Sequence, residues 1–93
     1  MKKETETLHQ AINIYGKNAQ LDMCIEEMSE LTKEICKSKR GKDNKEEIIE
    51  EMADVYIMLE QLKIIFSIEQ YEIDDIARIK LLRLEERLKQ EKC

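Results

Sequence analysis

Two pairs of acidic residues stand at a spacing that could bind a metal ion. Glu27 and Glu30 are three residues apart, and so are Glu51 and Asp54. Residues at i and i+3 are neighbours on a helix surface, so the carboxylates of each pair point the same way. Carboxylate oxygens are hard ligands of the kind that Mg²⁺ and Mn²⁺ prefer. The spacing predicts a divalent-cation site wherever two helices bring the pairs face to face.

The position of Glu51 strengthens this prediction. At about 100° per residue, Glu51 falls inside the apolar arc of its own segment, which is formed by Ile48, Met52, Val55, Leu59 and Leu62. Glu27 borders a similar stripe formed by Cys24, Met28, Leu31 and Ile35. An ionised carboxylate in an apolar interior costs several kcal/mol unless something pairs with it. We therefore expect a cation, or another neutralising group, beside Glu51.

Four helices are predicted to position these acids. The chain has no proline and only two glycines, Gly16 and Gly41, which favours helix almost throughout. We predict helices over about residues 4–15, 18–39, 45–66 and 73–89. Gly16 suits a left-handed cap after the first helix, Gly41 ends the second, and Asn44 with Glu47 forms a capping arrangement for the third.

The apolar periodicity of each helix predicts which side packs. The first helix should bury Leu8, Ala11, Ile12 and Tyr15, and the third should bury a stripe that extends the arc around Glu51 to Phe66. The last helix carries a short coiled-coil-like seam of Ala77, Leu81, Leu84 and Leu88. We expect an all-α fold, a single domain over residues 1–93, in which an antiparallel helical hairpin or bundle of about four helices is completed by oligomerisation.

The packing of the second helix against the third determines whether the two acid pairs lie opposite each other. A short connection over residues 40–44 favours antiparallel packing of these helices. Glu30 lies about 12 residues before Lys42, and Asp54 lies about 12 residues after it. The two pairs should therefore meet at similar heights along the hairpin.

Composition excludes several other classes of protein. The net charge of -5 argues against a partner of nucleic acid, whose phosphates are bound by basic residues. No membrane-spanning or signal segment is evident, so we expect a cytoplasmic protein with no membrane partner. Its three cysteines, Cys24, Cys36 and Cys93, are expected to be free thiols. At 93 residues the chain has little core of its own, which favours a homo-oligomer, a dimer or a tetramer.

Two other readings of the acids compete with a magnesium site. A di-iron bundle would need Glu-x-x-His pairs, and the only histidine, His9, stands in another segment and is expected at the surface. Charged residues make up 40% of the chain, and the same acidic spacing recurs at Glu72 with Asp75 and at Glu47 with Glu50. Either pair can therefore be an ordinary solvated helix face.

The motifs around both pairs resemble a known family. Residues 24–31 read CIEEMSEL, and residues 49–55 read IEEMADV. In order and spacing they are similar to the E-E-x-x-E and E-x-x-D signature of the MazG-like, all-alpha nucleoside triphosphate pyrophosphohydrolases. The resemblance covers about residues 15–66, including Gln20, and leaves the last helix outside the motif core.

The resemblance implies a reaction and a set of roles. Glu27, Glu30, Glu51 and Asp54 would hold Mg²⁺, with Mn²⁺ as a substitute, while water attacks the α phosphorus and releases a nucleoside monophosphate and pyrophosphate. Glu26 or Glu30 would accept the proton of that water. The remaining candidates for substrate contacts are Lys37, Lys39 and Arg40 for phosphates and Tyr15, Tyr56 and Tyr71 for the base. Family members form dimers or tetramers.

Some of these residues have simpler explanations. Lys37, Lys39 and Arg40 complement the dipole at the end of the second helix, whether or not they touch a substrate. The rival function is a non-catalytic helical module whose last helix docks a partner through Leu81, Leu84 and Leu88. The two hypotheses differ over Glu51, because an interaction module gains nothing from an acid in an apolar stripe.

Overall fold

The structure is a computed structural model that describes residues 2–92, with side chains from residue 3 to residue 91. Four helices follow one another along the chain: α1 (Lys2–Tyr15), α2 (Lys17–Lys39), α3 (Lys45–Ile65) and α4 (Gln70–Lys92). The described residues form no strand. The predicted all-α class and the four helices are confirmed, and the helix ends differ from the predicted ones by at most three residues.

α2 and α3 pack side by side as an antiparallel hairpin, and α1 packs against both. The buried residues at this junction are few and largely polar: Gln20, Cys24, Asn44, Met58 and Gln61. Such a small core is expected for a chain of this length. The thiols of Cys24, which is buried, and Cys36, which is exposed, are free. Cys93 lies outside the described residues.

Two helices end in the same hydrogen-bonded turn. After α2, the Gly41 N–H donates to Ser38 O and the Lys42 N–H donates to Lys37 O, with Gly41 at φ 96°. After α3, the Ile68 N–H donates to Lys63 O, and Ser67 takes the left-handed position at φ 55°. Both are Schellman turns, in which glycine is favoured because it has no Cβ. The predicted stop at Gly41 is therefore correct.

Two predicted caps take other forms. Gly16 does have a positive φ of 94°, but its ψ of 151° lies outside the left-handed helical region. Gly16 therefore joins α1 to α2 through a conformation that is almost restricted to glycine. Asn44 stands at the N-cap position of α3, yet its side chain makes no cap hydrogen bond. The Asn44 amide instead donates to Glu34, ten residues earlier in the chain.

The predicted core stripe of α3 is buried only in part: Ile48, Val55 and Leu62 are half-buried, and its other three residues are exposed. Met52, Leu59 and Phe66 are 56%, 46% and 54% exposed. The side of α3 that faces α2 carries Met58 and Gln61, and beside them the half-buried Glu51. The periodicity identified residues that share a face, but it could not show that α2 packs on the adjoining face. Tyr15, predicted to pack with α1, is likewise exposed.

α4 leaves the hairpin and is exposed along its length. Every residue from 71 to 91 is exposed, including Ile76, Leu81 and Leu88. The Cα radius of gyration is 16.8 Å, whereas a compact domain of this length would have about 12 Å. Exposed apolar side chains of this kind, on a helix that extends from a small body, indicate surface that the single chain does not cover.

No helix within residues 2–92 combines the length and the hydrophobicity that crossing a lipid bilayer requires. His9 is exposed on α1, as predicted.

Candidate metal centre

Three of the four predicted metal ligands come together between α2 and α3. Glu27 of α2 and Glu51 and Asp54 of α3 each offer a carboxylate oxygen, and these three oxygens lie within 4.8 Å of one another. The antiparallel register produces this cluster, because Glu51 and Asp54 share one face of α3 and that face lies opposite Glu27. Ligands of a single Mg²⁺ stand about 3–4 Å apart. Small side-chain rotations would bring these oxygens to that spacing.

Glu51 is the least satisfied member of the cluster. Its Oε2 atom is enclosed by protein and has no hydrogen-bond partner among the described residues. Burial raises the pKa of the Glu51 carboxyl above its ordinary value, and the nearby charges of Asp54 and Glu30 raise it further. A buried carboxylate with neighbours of the same charge is the arrangement that a cation would relieve.

Glu27 is held in a similar environment from the other helix. Burial is the largest cause that raises the pKa of its carboxyl, followed by the charge of Asp54 and a side-chain hydrogen bond with Asp54. Glu51 and Glu26 add smaller contributions in the same direction. Glu27 and Glu51 therefore resist ionisation for the same reason, although they stand on different helices.

The other two acids of the first motif lie at the border of this cluster. Glu30 is half-buried, and its Oε2 atom is 3.6 Å from the Lys33 Nζ atom. Its charge contributes to the raised pKa of Glu51, so it lies near the cluster without being one of the three grouped acids. Glu26 is exposed beside Glu27. Sequence reasoning missed Lys33, although its i, i+3 spacing from Glu30 was a usable signal.

A second carboxylate on the hairpin is fully partnered. The Asn44 Nδ2 atom donates to Glu34 Oε1 at 2.8 Å and to the Glu34 backbone oxygen at 2.9 Å. Lys37 Nζ donates to Glu34 Oε2 at 3.1 Å. The hydrogen bonds from Asn44 and Lys37 lower the pKa of Glu34. The two bonds from Asn44 tie the start of α3 to the last turns of α2, and so help to set the register that opposes Glu27 to Asp54.

The predicted substrate contacts are dispersed. Lys37 is engaged with Glu34, while Lys39 and Arg40 are exposed at the end of α2. Tyr15 is exposed at the end of α1. Tyr56 lines a groove of about 380 Å³ between α1 and α3, together with Leu8 and Ile57. These residues do not form one site within the single chain.

Two buried amide side chains extend the polar part of the α2–α3 contact beyond the acid cluster. Gln20 stands seven residues before Glu27, and Gln61 stands seven residues after Asp54. Because the helices are antiparallel, these offsets of about 10 Å run in the same direction. Both side chains are buried, and Gln61 Oε1 has no hydrogen-bond partner among the described residues. The α2–α3 contact is thus unusually polar over several turns.

Comparison with known proteins adds no family to these observations: no protein-family model, no curated protein and no solved structure matches the chain. The resemblance to MazG-like enzymes therefore stays a prediction that depends on the motifs.

The residues of the cluster fit a hard divalent cation. All three grouped donors are carboxylate oxygens, and none is the sulfur or imidazole nitrogen that softer metals favour. Mg²⁺ is commonly held by few carboxylates, with water and substrate phosphates completing its shell. The unpartnered Oε2 atom of Glu51 is the atom of this cluster that a bound cation would neutralise.

Proposed function

We propose that this chain is a magnesium-dependent nucleoside triphosphate pyrophosphohydrolase of the MazG-like kind, acting in the cytoplasm. The observation that carries the proposal is the convergence of Glu27, Glu51 and Asp54 around an enclosed carboxylate oxygen that lacks a partner. The motif order and spacing in residues 24–31 and 49–55 support the same reaction class.

The ionised forms of Glu27, Glu51 and Asp54 would bind the cation. Mg²⁺, when bound, offsets the charge of the triphosphate and lowers the pKa of a coordinated water. Because protons compete for the same oxygens, the raised pKa values of Glu27 and Glu51 favour binding at neutral or higher pH over binding at acidic pH.

Glu30 is the better candidate for the general base. It borders the cluster and stands close enough to Glu51 to affect its pKa, whereas Glu26 is exposed. Glu30 would take one proton from the attacking water, whose oxygen forms a bond to the α phosphorus. The bond from the α phosphorus to the bridging oxygen then breaks, and pyrophosphate leaves. The products are a nucleoside monophosphate and pyrophosphate.

Assembly into a homo-oligomer belongs to the proposal. Met52, Leu59 and Phe66 form an exposed apolar stripe on α3, and Met28 and Ile35 are partly exposed on α2. A second copy packed on this side of the hairpin would bury both sets of side chains. Obligate dimers bury apolar surface of this kind.

The deciding experiment compares turnover in matched variants. The wild-type chain with Mg²⁺ should release monophosphate and pyrophosphate from at least one member of a nucleoside triphosphate panel. Glu51→Gln and Asp54→Asn should each reduce kcat about 100-fold or more, because they remove charge from the metal site. Glu47→Gln, an exposed acid on the same helix, is the control and should retain activity. Absence of both products from every triphosphate, or full activity in Glu51→Gln, would rule the proposal out.

The second candidate function is a non-catalytic interaction module, which the exposure of α4 favours. In such a module an acid at position 51 only costs stability. Glu51→Leu should then leave the protein's function intact and raise its melting temperature in the presence of Mg²⁺. A hydrolase should instead lose its stabilisation by Mg²⁺ in this variant.

A further inference from the structure

α4 carries basic residues that its own helix leaves unpaired. Lys80, Arg83 and Arg87 stand at i, i+3 and i+7, which places them in one row on the helix surface. None of the three forms an ion pair with any residue that the structure describes. We call them the basic row.

Other basic residues of α4 behave differently. Arg78 pairs with Asp75 at 3.3 Å, and Lys89 lies within 3.6 Å of Glu85 and Glu86. These ion pairs place an opposite charge of α4 itself beside Arg78 and beside Lys89. The basic row is therefore distinguished from its neighbours by its lack of partners as well as by its spacing.

The hairpin carries a matching surplus of negative charge. We define its acidic edge as three exposed acids beside the metal centre that have no ion pair within the described part of the chain: Glu26, Glu47 and Glu50. Glu47 and Glu50 stand at i and i+3 on α3 and so share one face of that helix.

The apolar surface of the hairpin continues onto α4. A groove of about 500 Å³ at the elbow between α3 and α4 is lined by Leu59 and Leu62 of α3, by Ile68 of the connection and by Ile73 of α4. A second groove along α4 is lined by Ile73 and Ile76 and reaches Lys80. The exposed stripe of α3 and the basic row are thus joined by continuous apolar side chains.

We propose that α4 docks on a second copy of this chain, with its basic row against the acidic edge of the partner hairpin. A second copy is the occupant that fits, because the same chain offers both the unpaired basic row and the unpaired acidic edge. Two such contacts form in a twofold-symmetric dimer, in which each α4 reaches the other hairpin. This docking does not depend on the proposed hydrolase activity.

The test is charge reversal in the full-length chain, measured by sedimentation equilibrium. Arg83→Glu with Arg87→Glu should weaken dimerisation at least about tenfold, since like charges would then face each other. The control, Arg78→Glu with Lys89→Glu, changes the same net charge on the paired residues of α4 and should alter dimerisation much less. Helical circular dichroism should be unchanged in both, because all four side chains are exposed.

A charge swap makes the test specific. Adding Glu47→Arg and Glu50→Arg to Arg83→Glu/Arg87→Glu should restore association to within a few fold of wild type. High salt should weaken the wild-type dimer, because opposed charges at a surface are screened.

Three results would overturn the docking proposal: a wild-type chain that stays monomeric with the single-chain radius of gyration of 16.8 Å, equal weakening by the control pair, or no rescue by the swap. None of the substituted residues belongs to the grouped acids of the metal centre. A monomeric wild-type chain would also remove the homo-oligomer from the proposed function, whereas the other two failures would leave the hydrolase proposal standing. Loss of turnover in Glu51→Gln would leave the docking proposal standing.

Discussion

Glu34 and Glu51 are two half-buried carboxylates on the same hairpin, and their surroundings are opposite. Glu34 accepts hydrogen bonds from Asn44 and Lys37, and its pKa is lowered. Glu51 has an enclosed oxygen without a partner, and its pKa is raised by burial and by neighbouring acids. The chain supplies its own donors for the structural carboxylate. It supplies none for the Glu51 Oε2 atom among the described residues, and this difference is the one on which the proposed cation site depends.

The largest expected difference between these two acids is in their response to Mg²⁺. With Mg²⁺ at about 100 times its dissociation constant, the wild-type melting temperature should rise by on the order of 10 °C. Glu51→Gln should abolish most of this rise, whereas Glu34→Gln should lower the melting temperature without Mg²⁺ and keep the rise. Differential scanning fluorimetry with Mg²⁺ and with EDTA measures both. Equal rises in the two variants would show that Glu51 does not bind the ion.

The next largest effect concerns the donor that satisfies Glu34. Asn44→Ala removes a buried amide and leaves the Glu34 backbone oxygen without that partner, so it should reduce the free energy of unfolding by about 1–3 kcal/mol. The control is Asn13→Ala, an exposed position on α1, which should change it by less than about 0.5 kcal/mol. Urea unfolding followed by circular dichroism makes the comparison. An Asn44→Ala chain as stable as wild type would show that this tie does not hold the hairpin.

A smaller effect is the pH dependence of the protein's stability in the absence of metal, which should have opposite signs for the two acids. Because the folded-state pKa values of Glu27 and Glu51 exceed 4.5, lowering the pH from neutral toward 4.5 protonates them first in the folded chain and should add stability. Because the folded-state pKa of Glu34 is below 4.5, its contribution is present above 4.5 and is lost as the pH falls further.

Melting temperatures in EDTA between pH 3 and pH 8 would reveal these two windows. Glu51→Gln should flatten the curve above pH 4.5, and Glu34→Gln should flatten it below. If Glu51→Gln left the change in melting temperature above pH 4.5 as in the wild type, Glu51 would not be the carboxyl whose pKa is raised.

The smallest expected effect comes from Lys37. Its ion pair with Glu34 is an i, i+3 pair within one helix whose Lys37 side chain is partly exposed, and such pairs contribute little. Lys37→Gln should lower the melting temperature by less than about 2 °C at low salt and by nothing measurable in 0.5 M NaCl. A loss as large as that of Asn44→Ala would mean that Lys37, rather than the amide, keeps Glu34 ionised.

Sequence patterns were sufficient for the helices and for the grouping of acids along them. The absence of proline predicted helix almost throughout, and Gly16 and Gly41 predicted where α1 and α2 end. Helical spacing predicted that Glu51 and Asp54 share a face. These are properties of one helix and its neighbours in the chain. They depend on local backbone geometry, which periodicity encodes directly.

Properties that depend on a second helix were harder to predict. The stripe containing Met52 and Leu59 was assigned to the core, yet α2 packs on the adjoining face that carries Met58. The Asn44 side chain was assigned to a cap, because nothing in its local sequence indicates that Glu34 would be within reach. Apolar residues whose partner is another molecule have the same periodicity as residues of an internal core.

The five-residue connection over residues 40–44 also bears on how quickly the chain folds. Because α2 and α3 are adjacent in the chain, closing their hairpin loses little loop entropy, and helical proteins with such local contacts fold in microseconds to milliseconds. With no proline in the chain, prolyl isomerisation adds no slow phase. Any phase on the scale of seconds in refolding would therefore report the meeting of two chains, and its rate would grow with protein concentration.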